Sequence, residues 1–300
     1  MTVIAVVGPT AAGKSALSIG LAHRLGGEVV NADSMQLYQG MDIGTAKLIA
    51  AEREGIPHHL LDIWPVTQPA SVAEYQALAH SAIDEILDRG SVPLLVGGSG
   101  LYIRAVLEDF AFPGTDSGLR VTLEAELAQV GSGAMHRRLA EIDPEAAARI
   151  LPSNGRRIVR ALEVISLTGR PFTAALPTQP KRVYDAVQIA VDRDDLDVRL
   201  EQRVDKMWRE GFVDEVRRLE GRGLRDGITA SRALGYQQIL GFLEGTLSEE
   251  QAYLATVTGT RRFARRQRSW FRRDPSVVWL DGAAQDLPDQ ALALLGRKGP

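Results

Sequence analysis

The chain has 300 residues, 45% of them hydrophobic, with 35 Lys and Arg against 38 Asp and Glu, for a formal net charge of -3. That supplies a sizeable core and an ordinary globular balance, with no overall charge that would announce a polyanion partner. The absence of cysteine excludes disulfides, thiol nucleophiles and cysteine zinc sites, and no apolar run reaches membrane-spanning length.

The chain enters a strand at once. No targeting segment is expected, and a soluble cytoplasmic protein is inferred. Thr2 to Val7 is a β-branched apolar run that predicts a buried strand. Gly8-Pro9-Thr10-Ala11-Ala12-Gly13-Lys14-Ser15 follows. It fits the phosphate-loop pattern G-x-x-x-x-G-K-[ST] in the context that pattern needs, a strand before and a helix after. The helix is predicted over Ser15–Leu25, from Leu17, Leu21 and Leu25 at helical spacing, with Gly26-Gly27 as its stop. Such a loop wraps backbone N–H groups around phosphate oxygens at a helix N-terminus. Lys14 adds a point charge, and the Ser15 hydroxyl suits Mg²⁺. A phosphorylated ligand follows, but not which one.

Glu28–Ala32 predicts a second strand ending at Asp33-Ser34. Strand C-termini line the ligand crevice of a parallel α/β sheet, so Asp33 is a site candidate; a turn aspartate or helix cap is the plain alternative. Met35–Lys47 is glycine-punctuated and predicts an active-site loop with a short helix. His58–Ile63 is a third strand candidate. Its adjacent histidines point to opposite faces, so packing and surface roles are preferred to a shared metal. Ser71–Arg89 predicts a helix opened by a Ser71–Glu74 capping box. Val92–Val96 is a fourth strand, and Gly97-Gly98-Ser99-Gly100 makes a second glycine turn beside the first, or a tight turn without a ligand.

From about Pro113 to Pro180 the sequence is helical, broken at Gly131–Gly133 and Pro152–Gly155, and predicts a helical insertion. Ile158, Leu162 and Ile165 form one stripe of a helix over Arg156–Leu167; Arg156, Arg157 and Arg160 lie off it, as a solvated face or an RNA contact. Val187–Val191 returns to a strand. Asp195–Leu219 predicts a long helix bent at Gly211, and Arg232 stands alone among small residues. In Arg261–Arg273, Phe263, Gln267 and Trp270 share one face, while Arg261, Arg265, Arg268 and Arg272 gather on the other. Like charges stacked in this way destabilise a helix. A polyanion partner would offset that cost, and so would acids from other helices. Val277–Leu280 is a last strand, and the tail after Asp286 is expected to be peripheral.

These residues, taken in order, resemble the bacterial tRNA dimethylallyltransferases, or isopentenyl-diphosphate:tRNA transferases. The resemblance rests on the phosphate loop, Asn31–Gln36, Asp42–Lys47, Pro57–Leu60, Gly97–Tyr102, Arg156–Glu163, Ser231–Tyr236 and Arg265–Trp270. It departs from the family's habit in Ala12 for Ser, Ser15 for Thr, and the lack of Gln at positions 156 and 159. It implies an α/β fold: a P-loop NTPase-like parallel sheet flanked by helices (1–115 with 182–300), carrying an all-helical insertion (116–181).

The resemblance implies transfer of a dimethylallyl group from its diphosphate to the exocyclic amine of the adenosine 3′ of the anticodon, in tRNAs reading codons that begin with U. Asp33 is implied as general base, with Thr10 and Arg232 also catalytic. Residues Gly8, Pro9, Thr10, Ala11, Ala12, Gly13, Lys14 and Ser15 would hold the diphosphate, with Mg²⁺ on Ser15. Contacts to the tRNA anticodon stem-loop are implied for Asp33, Ser34, Met35, Gln36, Ser99, Arg120, Arg156, Arg157, Ile158, Val159, Arg160, Arg265 and Arg268. No membrane is involved, and a monomer is expected. The rivals are a small-molecule kinase of the phosphate-loop class and an RNA-binding module without catalysis.

Overall fold

The computed structural model describes residues 2–110, 112–172 and 181–296. Two compact units divide the chain: Met1–Leu107 with Tyr184–Pro300, and Glu108–Val183. The end of the predicted insertion, 173–180, lies outside the described residues.

The first unit is built on a six-stranded sheet. Its strands are β1 (Thr2–Val7), β2 (Gly27–Asn31), β3 (His58–His59), β4 (Val92–Val96), β5 (Asp185–Asp192) and β6 (Val277–Asp281), in the order β3-β2-β4-β1-β5-β6. Every pairing is parallel. Ile4 of β1 faces Leu94 on one side and Val187 on the other. The chain leaves β1, skips over β4 and returns as β2, so the crevice at the C-terminal end of β1 is where such a sheet receives its ligand. Alternation along β1 feeds two cores: Val3, Ala5 and Val7 enter one, Ile4 and Val6 the other.

Eight helices of this unit are described: α1 (Lys14–Leu25), α2 (Val72–Asp88), α3 (Gly100–Leu107), α7 (Leu196–Arg209), α8 (Phe212–Glu220), α9 (Tyr236–Leu243), α10 (Glu249–Phe271) and α11 (Leu287–Gly296); α4 to α6 belong to the second unit. Most of the sequence expectations hold, with five differences. The segment Met35–Lys47 is a run of turns without a helix. The third strand shrinks to two residues, because Leu60 and Asp62 take positive φ (61° and 57°) and end the pairing. The capping box of α2 is half formed. Ser71 accepts from the Glu74 amide, but the Glu74 carboxylate turns instead to Trp64 Nε1 (3.2 Å). The helix expected over 195–219 is two helices, since Gly211 at φ 92° stops α7 and begins α8. Last, the tail is not peripheral: α11 buries Leu287 and Ala291 in the core beside α1.

The second unit holds α4 (Ser117–Ile142), α5 (Pro144–Arg149) and α6 (Gly155–Thr168). Gly131, at φ 79° and ψ 162°, kinks α4. Leu123, Met135 and Leu139 of α4 close over Ile158, Val159 and Leu162 of α6, so the predicted stripe is the seam. A fully buried carboxylate, Glu163, accepts from Arg120 (2.5 Å) and Arg160 (2.9 Å). Burial works to raise its pKa, and the two guanidiniums outweigh that and hold it below the ordinary carboxylate range.

Candidate active site

The phosphate loop is shaped by backbone constraints the sequence pattern only hints at. Gly8 takes φ 123°, and a Cβ there would lie 2.4 Å from the Val191 carbonyl oxygen. Ala11 also takes a positive φ (65°), which a residue with a Cβ adopts only under constraint. Gly13 caps α1 with no side-chain bond, and the first turn of α1 has no acidic residue. Its N-terminal N–H groups are therefore open to an anion.

Lys14 reaches back to the Pro9 carbonyl (2.7 Å). Its pKa falls from 10.5 to about 8, first through burial and then through the nearby Arg203 charge, with Asp33 pulling the other way. Ser15 stands exposed in the first turn. The Thr10 amide is committed, because it donates to Gln267 Oε1 (2.9 Å). The N–H cradle for a ligand therefore begins after Thr10.

Gln267 is the pivot of this corner. It is buried on α10 and also donates from Nε2 to the Gly98 carbonyl (3.0 Å). The two glycine turns are thus tied through one side chain. The second turn needs its glycines for the same reason: a Cβ on Gly98 would lie 2.0 Å from Gln267 Nε2, and one on Gly100 would lie 2.1 Å from Trp270 Nε1.

Beside the loop lies a cavity of about 320 Å³. Thr10, Asp33, Ser34, Met35, Ser99 and Arg232 all line it, with Arg203 and Arg266. Its apolar wall is Met207, Phe212, Leu234, Tyr236 and Phe263. One Asp33 carboxylate oxygen accepts the Met35 amide (3.0 Å), and Asn31 Oδ1 accepts the Asp33 amide, which fixes the side chain's direction. Ser99 accepts from the Ser34 amide (3.2 Å), joining the second turn to the strand β2 exit. Gln36 donates to the Thr45 carbonyl (3.2 Å). Arg203, also donating to that carbonyl (3.1 Å), has its pKa lowered by burial, partly offset by Asp33.

The basic candidates divide. Arg261 pairs with Glu201 (2.6 Å), and Arg268 with Asp192 (2.7 Å). Arg272 also approaches Asp192 (3.6 Å). Arg261 thus meets an acid of another helix, as one sequence reading had it, whereas Arg268 and Arg272 meet one at the end of strand β5. Arg265 is exposed, with its guanidinium turned to the Arg261 carbonyl. In the second unit Arg156 and Arg157 are exposed at the head of α6. Ile158 and Val159 face the core at 0% and 3% exposure, so their side chains serve packing. Arg120 and Arg160 serve Glu163, and Arg160 also binds the Pro113 and Gly114 carbonyls. The paired histidines share no ligand: His59 meets Glu28 (2.7 Å) while His58 Nδ1 meets the Ile56 carbonyl.

Sequence reasoning passed over Gln267, Arg203 and Tyr236. The signal for the first was present as a polar residue on the buried face of α10. The signal for Arg203 was a cation against the buried Leu200 and Val204 of α7.

The fold and cavity define a phosphate-loop protein that gathers a carboxylate, several cations and an apolar wall in one crevice. Residues 36–274 match the family model described as IPP transferase, and the chain belongs to that family. It is 67% identical to a tRNA dimethylallyltransferase of Salinispora tropica over 98% of this chain and 92% of that one. It is 64% identical to one from Streptomyces griseus over 98% and 96%. Among solved structures it is similar to a tRNA isopentenylpyrophosphate transferase of Bacillus halodurans (42% identity, TM-score 0.73, 99% and 96% covered). It is also similar to a eukaryotic dimethylallyltransferase acting on tRNA (27% identity, TM-score 0.82, 98% and 77% covered).

Proposed function

We propose that the chain transfers a dimethylallyl group from dimethylallyl diphosphate to the N6 amine of the adenosine 3′ of the anticodon, in tRNAs reading codons that begin with U. The observation that carries this reading is the cavity itself. Thr10, Asp33, Ser99, Arg203 and Arg232 converge there on an apolar wall, which suits a five-carbon chain joined to a polyanion.

The allylic C–O bond breaks readily because the positive charge is delocalised, and the bonding pair leaves with the diphosphate. The protein's task is to stabilise that leaving charge. The open N–H groups at the head of α1, Lys14, Arg203 and Arg232 have the charge and placement for it. Lys14 exchanges the Pro9 carbonyl for a diphosphate oxygen. Asp33 accepts a hydrogen bond from the adenine amine, concentrates the nitrogen lone pair, and takes the proton as the new C–N bond forms. Thr10 lies where the two reactants meet.

Mg²⁺ fits this site in one way. The Ser15 hydroxyl, exposed in the first turn of α1, would be the protein's ligand to it. Such an ion would neutralise charge on the diphosphate.

Arg156, Arg157 and Arg265, all exposed, are the proposed RNA phosphate contacts, with Ser34, Met35 and Gln36 beside the target base. The residues lining the cavity all belong to the sheet-bearing unit. Among the described residues no helix is long and apolar enough to cross a membrane.

Incubation of the protein with dimethylallyl diphosphate and an anticodon stem-loop, followed by nucleoside mass spectrometry, tests the reading. Prenylated adenosine is expected. Asp33→Asn is expected to slow transfer by about 10²–10⁴-fold with RNA affinity unchanged. Phosphorylation of a small acceptor from ATP without prenylation would favour the kinase rival, and an unaffected Asp33→Asn would remove the base.

A further inference from the structure

One wall of the cavity is held by a residue that does not face it. Glu215, on α8, is 2% exposed. Three successive backbone N–H groups converge on its carboxylate. Asp42 (3.1 Å) and Ile43 (2.7 Å) donate to Oε2, and Gly44 (3.2 Å) donates to Oε1. The Tyr236 hydroxyl donates to Oε1 as well (2.6 Å). All four partners are neutral dipoles drawn from two separate stretches of chain. Burial, with the Glu215 charge beside it, holds the Tyr236 phenol well above its ordinary pKa, so it remains a donor.

The segment gripped in this way cannot drift. A Cβ on Gly44 would lie 2.2 Å from the Phe212 ring and 2.6 Å from the Tyr236 ring, so the 42–44 backbone is pressed against the aromatic wall. At its far end Lys47 is locked to Asp42 (2.7 Å) and Asp62 (2.6 Å). Between these anchors sits the Thr45 carbonyl, which accepts from both Arg203 and Gln36. Arg203 has an electrostatic partner in Asp33, yet a hydrogen bond that fixes its direction comes from Thr45.

We infer that Glu215 is a positioning residue for the transfer reaction: it sets the register of the 42–45 backbone so that the Thr45 carbonyl holds Arg203 toward the diphosphate half of the cavity. This rests on the reading that the cavity takes the prenyl diphosphate. Glu215 does not line the cavity; its effect passes through the 42–44 amides and the Thr45 carbonyl to one cation.

Glu215→Gln keeps the shape but sets an amide N–H₂ against backbone donors. The KM for dimethylallyl diphosphate is expected to rise about tenfold, with kcat falling less than about threefold and stem-loop affinity unchanged. Arg203→Lys should raise the same KM. The double variant should be no worse than the more severe single, since both break one link. An unchanged KM in Glu215→Gln, or single effects that multiply in the double, would overturn the inference. If Glu215→Gln does not fold by thermal melting, Tyr236→Phe replaces it. That variant removes one of four donors, and a smaller KM rise that again does not multiply with Arg203→Lys is expected; multiplication overturns the inference here too. If the wild-type protein transfers no prenyl group, the functional reading fails by itself. The positioning claim is then decided by inorganic diphosphate binding, where Glu215→Gln must still weaken affinity about tenfold.

Discussion

Lys14 makes the strongest quantitative prediction. In the ligand-free protein its pKa is about 8 rather than 10.5, a drop of about 2.5, which corresponds to roughly 3 kcal/mol between its two protonation states. The sign follows from linkage. The unfolded chain keeps this proton up to its own, higher pKa. The charged lysine therefore costs the empty fold stability below about pH 8, and that cost is relieved as pH rises through 8 toward 10.5. A bound diphosphate reverses the balance by supplying the opposite charge, so binding above about pH 8 must take up a proton. Affinity for dimethylallyl thiodiphosphate should be flat from about pH 7.5 to 8 and then fall, by at most about tenfold per pH unit. Isothermal titration calorimetry in two buffers of different ionisation enthalpy measures both quantities. Proton uptake should approach one by about pH 9. Lys14→Arg, which keeps its charge throughout this range, should abolish the uptake. No proton uptake and a flat affinity across this window in the native protein would refute the argument, because the lysine would then be charged with or without ligand.

Two further outcomes are expected. Gln267→Leu leaves the Thr10 amide and the Gly98 carbonyl without their partner and should lower unfolding free energy by about 2–5 kcal/mol in urea titration. Gln267→Glu keeps the acceptor for Thr10 but sets a buried carboxylate oxygen against the Gly98 carbonyl, and should also lower stability. Arg156→Ala and Arg157→Ala should each weaken stem-loop binding and reduce the slope of log affinity against log salt by about 0.7–0.9, leaving KM for the prenyl donor unchanged.

Much of this site is local in the chain. The phosphate loop, the strand before it and the helix after it fall within residues 2–25, so a short pattern captured them. Asp33 was placed by a general rule about strand ends, and the cavity includes it. What escaped is long-range. Gln267 meets Thr10 across 257 positions, and Glu215 meets Ile43 across 172. No periodicity encodes such a pairing. The sequence also presents arginines without their acids. Arg268 and Asp192 stand 76 positions apart, so the charged face of α10 looked unpartnered until the strand β5 exit was folded against it. Gly211 shows the remaining limit: as a residue it permits a bend or a full stop, and the packing of Phe212 beneath Gly44 and Gly235 favours the stop.

The shared grip of Asp192 on Arg268 and Arg272 bears on selectivity among nucleic acids. A cationic helix left bare would adsorb any phosphodiester. Here each of these guanidiniums already has an anion, and an arriving strand must displace it to gain anything.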